Sequence, residues 1–199
     1  MQHTQYISTR GQMAAAGFTD VLVAGLAPDG GLAVPSRLPA LSPEQIEAWR
    51  PLGYAELATE VIGLFATDIP REDLAGLTRA AYGEGRFPQP VVPVTGLDEV
   101  ADGLALVGLS EGPTMAFKDL AMQFLGQAIP YVLAKHGQVL NILGATSGDT
   151  GSAAEHAFRG QEGVSVFMLS PAGRMSPVQR AQMYTLQDAN IHNIAVRGV

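Results

Sequence analysis

Cysteine is absent from all 199 residues. That absence excludes a disulfide framework, a thiolate nucleophile and any cysteine-ligated metal site. Basic residues are scarce too: 12 Lys and Arg face 19 Asp and Glu, for a net charge of −7. A surface built to grip nucleic acid needs clustered positive charge, so nucleic acid is not expected as a partner. No apolar run reaches the ~18 residues that a membrane-spanning helix requires. Residues 1–20 combine neither a basic start nor an unbroken apolar stretch, so the expectation is a cytoplasmic protein without membrane contact. The four histidines, His3, His136, His156 and His192, lie far apart and follow no metal-binding spacing. Each is read as solvated or satisfied in a core, and no metal is expected.

What the chain does contain is an ordinary globular composition, 47% hydrophobic and 16% charged, enough for a real core. Its first part, residues 1–85, reads as short elements separated by turns. A strand-like stretch at 4–9 is followed by Gly11, and the run from Pro28 to Gly31 marks a tight turn before residues 32–35. Ser42 and Pro43 cap a helix running to about Trp49. Apolar residues recurring every three or four positions predict helices over 54–65 and 70–81. Glycines and prolines between Gly83 and Pro93 break the pattern, and the domain boundary is placed there.

From residue 86 to 199 strands and helices alternate. Residues 103–109 read as a buried strand, and Asp119 as the cap of a helix running to His136, kinked by Pro130 and closed by Gly137. Further strands are predicted at 139–143, 164–169 and 191–196, with helices at 149–159 and 177–187. This βαβαβ order implies a parallel sheet, covered on both faces and joined by right-handed crossovers.

Three stretches carry chemistry. Lys118 stands between an apolar run and a helix start, where desolvation and the helix dipole would lower its proton affinity and leave a nucleophilic amine. A solvated lysine preceding a helix has the same signature. Residues 144–151 form a glycine-rich turn from strand to helix, whose free N–H groups and the hydroxyls of Thr146, Ser147 and Thr150 suit a carboxylate or phosphate. The same turn is neither a Walker loop nor a dinucleotide fingerprint, and a capped turn without a ligand also fits. Arg174, in a third turn before a helix, offers a planar fork for an anion or simply faces water.

Taken in order, Tyr6 to Gly11, Gly25 to Pro35, Glu111 to Asp119, Ala145 to Ser152 and Ser170 to Gln179 resemble threonine synthases of the bacterial and fungal type. These are pyridoxal-phosphate (PLP) enzymes of fold type II, related to the tryptophan synthase β subunit. The resemblance covers nearly all of the chain. It implies an α/β protein: a small N-terminal α+β domain over 1–85, then over 86–199 an incomplete tryptophan synthase β-like parallel-sheet domain. By the same resemblance Lys118 binds PLP as a Schiff base and, once freed by the amino group of O-phospho-L-homoserine, moves protons at Cα and Cβ. Phosphate then leaves Cγ and water adds at Cβ to give L-threonine.

Phe117 is implied as a wall beside the cofactor ring, with Asp149 near the cofactor. Thr146, Ser147, Asp149 and Thr150 are implied to seat the substrate, and Arg174 to meet its phosphate. The complete protein would be a monomer or homodimer. Family members are more than twice as long, so the second glycine-rich loop and the partner of the pyridine nitrogen are expected beyond Val199. The chain is accordingly expected to be a fragment with little or no catalysis and a tendency to aggregate or swap. A dehydratase or β-replacement synthase of the same fold is the sister reading; a non-catalytic anion-binding module is the alternative of another class.

Overall fold

The computed structural model describes residues 4–198, so His3 and Val199 lie outside the described residues. The chain divides into two compact units between Arg79 and Ala80. That division falls inside a helix and upstream of the glycine-proline cluster. The last turn of the helix belongs to the second unit, where Tyr82 packs against Phe87 and donates its hydroxyl to the Leu120 carbonyl at 2.7 Å.

In the first unit, strands β1 (Tyr6–Ser8) and β2 (Ala33–Pro35) pair antiparallel, with Tyr6 opposite Pro35 and Ser8 opposite Ala33. The turn between them is pinned by Asp29. Its Oδ1 accepts from Ser8 Oγ at 2.6 Å and from the Gly31 amide at 2.9 Å, and its Oδ2 accepts from the Gln12 amide at 2.9 Å. These donors, the Ser8 hydroxyl first, hold the Asp29 carboxyl below the usual range. Helix α1 (Phe18–Ala24) escapes the sequence reading because its start carries no side-chain cap on the N-cap residue, Gly17. Its first turn is satisfied instead by Asp68 Oδ2, which accepts from the amide and hydroxyl of Thr19, both at 2.9 Å.

Helix α2 (Pro43–Trp49) opens on the predicted Ser42 cap, reciprocated by the Gln45 side chain. Helices α3 (Tyr54–Gly63) and α4 (Arg71–Tyr82) join through the buried hydroxyls of Thr59 and Thr78, 2.7 Å apart. Leu74, Ala66 and Ile69 are buried beside them.

The second unit begins with an antiparallel hairpin, β3 (Val94–Gly96) and β4 (Ala105–Val107). Residues 103–109, expected as a buried strand, give only β4, and all three of its residues are exposed. Apolar content marked the strand correctly but not its burial. There follow α5 (Asp119–His136), β5 (Leu140–Ala145), α6 (Asp149–Phe158), β6 (Val164–Pro171), α7 (Pro177–Tyr184) and β7 (Ile191–Val196). The three strands form one parallel sheet in the order β5-β6-β7, with Leu140 opposite Val164 and Val166 opposite Ile191.

Helix α5 runs through Pro130 and ends at Gly137, whose φ of 60° supplies the left-handed closing residue. Gly126 lets α5 approach α6 so closely that a Cβ there would strike the Ala157 carbonyl. The expectation of a sheet covered on both faces is not met. Burial alternates along β5 and β6, so one face packs under the helices while the other carries Leu143, 72% exposed. Among the described residues no helix is long and apolar enough to cross a membrane.

Candidate active site

The loop before α5 is clasped by Asp119. This residue was expected to cap α5, yet Lys118 holds the cap position and Asp119 is the first helical residue. Its carboxylate is fully buried and turns back to accept from the Thr114 amide and the Thr114 hydroxyl, each at 2.8 Å. Gly112 is required beneath it, because a Cβ there would collide with the Asp119 side chain. The clasp forces Met115 into the left-handed region at φ 57°, uncommon for a residue with a side chain and a sign of stored strain. Lys118 emerges from this loop half-buried, its Nζ 4.5 Å from the centre of the Phe117 ring.

The second component is the turn from β5 into α6. Thr146 Oγ1 accepts from the amides of Gly148 at 3.1 Å and Gly151 at 3.0 Å, so one hydroxyl knots the turn. Gly148 adopts φ 154°, which side-chain-bearing residues rarely reach. The amides of Asp149 and Thr150 fall in the first turn of α6, where no carbonyl of the helix can reach them. Together with the helix dipole they present positive potential toward an anion.

Helix α7 ties the two components together. Gln182 Nε2 donates to the Thr114 carbonyl of the lysine loop at 3.0 Å, while its Oε1 accepts from Ser152 of α6 at 3.3 Å. One turn earlier, Gln179 Nε2 donates to Asp149 Oδ1 at 2.7 Å. Beneath this layer Glu155 of α6 is fully buried, with one oxygen accepting from Asn193 Nδ2 of β7 at 3.2 Å. Burial pushes its carboxyl up to about 7.

The outcome is a cavity of about 290 Å³ lined by Lys118, Ala145, Thr146, Ser147, Asp149, Thr150 and Gln179. Lys118 and the four anticipated residues of the glycine-rich turn therefore meet, although some thirty positions of helix and strand separate them in sequence. Lys118, Phe117 and Arg174 are placed as follows. The recess around the lysine is not greasy, since Ala145 is the one apolar residue in its lining. Phe117 is absent from that lining; it is 62% exposed and lies against the amine. Arg174 is exposed in the turn after β6 and does not line the cavity.

Gln179 does line it and was not singled out. It caps α7 together with Ser176, and its bond to Asp149 spans 30 positions and left no local signal. A larger hollow of about 510 Å³ in the first unit holds Glu60 and Arg71, paired with each other, and none of the motif residues.

Comparison with known proteins points to one family. Residues 5–82 match the family model described as threonine synthase N terminus. The chain is 54% identical to threonine synthase of Corynebacterium glutamicum and 51% identical to that of Methylobacillus glycogenes, in each case over 98% of its own length. It superposes on PLP-bound threonine synthase from Brucella melitensis with a TM-score of 0.91 at 43% identity. With the yeast threonine synthase structure the TM-score is 0.90 at 35% identity. Both superpositions cover 98% of the chain. The chain spans about two-fifths of the length of these relatives, 41% for the Corynebacterium and Brucella proteins.

Proposed function

We infer that this chain is the N-terminal part of a threonine synthase, with 1–85 as its N-terminal domain and 86–199 as part of its PLP-binding domain. The complete protein would convert O-phospho-L-homoserine and water to L-threonine and phosphate in the cytoplasm, as a monomer or homodimer. The observation that carries this reading is the shared cavity: the Lys118 amine opens onto the same space as the first turn of α6. PLP suits that donor set, because its aldehyde needs an accessible amine and its oxygens need hydroxyl and amide donors. When bound, PLP supplies the electron sink that makes protons on carbon removable.

The chain's own residues do the rest. Lys118 would hold the cofactor, and its amine would move protons at Cα and Cβ of the substrate. The amides of Asp149 and Thr150, with the hydroxyls of Thr146, Ser147 and Thr150, hold the substrate carboxylate and orient Cα toward the lysine. Phe117, beside the amine, would shape the wall next to the cofactor ring. Arg174, exposed as it is, would reach a substrate phosphate only at the outer margin of the site.

Treating the chain with PLP and borohydride, then mapping the mass increase, tests the assignment. Modification is expected on the peptide containing Lys118 and is expected to vanish in Lys118→Ala. Label confined to Lys135 or the terminal amine, with phosphate binding intact, would leave only the anion-binding module. With phosphohomoserine, the 199-residue chain is expected to show little or no turnover, and full activity would refute that expectation.

A further inference from the structure

We propose that Gln179 is a positioning residue that holds the Asp149 carboxylate aside, so that the first-turn amides of α6 stay open to an incoming anion; the inference rests on the site reading above. Asp149 stands where the helix dipole favours negative charge, so its carboxylate competes with any ligand anion for the same donors. Gln179 Nε2 takes up Asp149 Oδ1 at 2.7 Å. The amide cannot turn round freely, because its Oε1 accepts from the Ser176 hydroxyl at 2.9 Å and the Ser176 amide at 3.3 Å. It is also wedged against Gly148, where a Cβ would run into the Gln179 amide carbon. An amide fixed at its acceptor end and pressed against a glycine presents a donor of set direction. Of the residues lining the cavity, Lys118 and Asp149 are the titratable ones, so this donor acts on its one carboxylate.

Gln179→Glu separates positioning from capping. It keeps an oxygen for Ser176, so α7 stays capped, and it loses the donor to Asp149. Sulfate is the probe, since it stays doubly charged between about pH 5 and pH 8, and binding is followed at the amide resonances of residues 147–151. Near neutral pH the variant is expected to bind sulfate about tenfold more weakly, the scale of one charge-assisted hydrogen bond turned into a like-charge contact. Affinity is expected to return as the pH falls and the paired carboxyls share a proton. The exchange variant Gln179→Glu with Asp149→Asn, which restores a donor-acceptor pair with its polarity reversed, is expected to regain sulfate affinity at neutral pH.

Unchanged affinity in the single variant, a loss that persists at low pH, or no recovery in the exchange variant would each overturn the proposal. None of these readouts needs a cofactor, so a failure here is distinct from a failure of Lys118 to be trapped.

Discussion

Glu155 shows how one residue can set the behaviour of the site from below. It is completely buried on the helix whose first turn lines the cavity, and burial pushes its carboxyl up to about 7 from the usual 4.5. The folded chain thus holds a proton that the unfolded chain releases above about pH 4.5, so the folded state binds more protons across the interval up to about 7. Stability contributed by the protonated form is complete below that interval and is lost as pH rises through the folded value. Glu155→Gln, neutral at every pH, is expected to remove this dependence. Relative to the parent it should be stabilised by on the order of 3 kcal/mol at pH 8, with little difference near pH 4. Urea unfolding at the two pH values measures it, and an equal pH slope in parent and variant would show that the carboxyl is ionised in the fold.

Elements differ in how openly the sequence declares them. Helices α2 and α5 were legible because their ends carry local chemistry, Ser42 with Gln45 and Gly137 closing the last turn, and α7 was expected as part of the alternation of strand and helix. Helix α1 was not, because its first-turn donors are satisfied by Asp68, 49 positions away in sequence. The site divides in the same way. Lys118 and the turn at 146–150 are contiguous motifs, whereas the Gln179 and Gln182 contacts exist only once α7 has packed.

The same distinction between local and tertiary demands governs two glycines inside helices. Gly76 of α4 is exposed with open space where a Cβ would stand, so Gly76→Ala should stabilise by about 0.5–1 kcal/mol through a less flexible unfolded chain. Gly126→Ala should instead cost about 1–3 kcal/mol, because its Cβ would press on the Ala157 backbone and drive α5 away from α6. Thermal melts of the two variants should shift in opposite directions, and shifts of like sign would contradict the packing described.

At the scale of the whole molecule, apolar surface is the conspicuous property of the second unit. Leu106 of β4 is 61% exposed, and Leu143 and Ile194 open onto the bare side of the sheet at 72% and 44%. Surface of this kind drives association. Sedimentation velocity on the isolated chain is expected to show larger species accumulating with concentration. Leu143→Lys together with Leu106→Lys should suppress them, and a monodisperse monomer at all concentrations would count against it.

The bare side follows from how β5, β6 and β7 are joined. Parallel strands added one after another in a single direction place their connecting helices, here α6 and α7, on the same side when the crossovers share one hand. This winding leaves the other face without helices of its own. Among the described residues β5 is an edge of this sheet, and Ala145 and Thr146 line the cavity at its carboxyl end, the end of a strand at which open α/β sheets generally take their ligands.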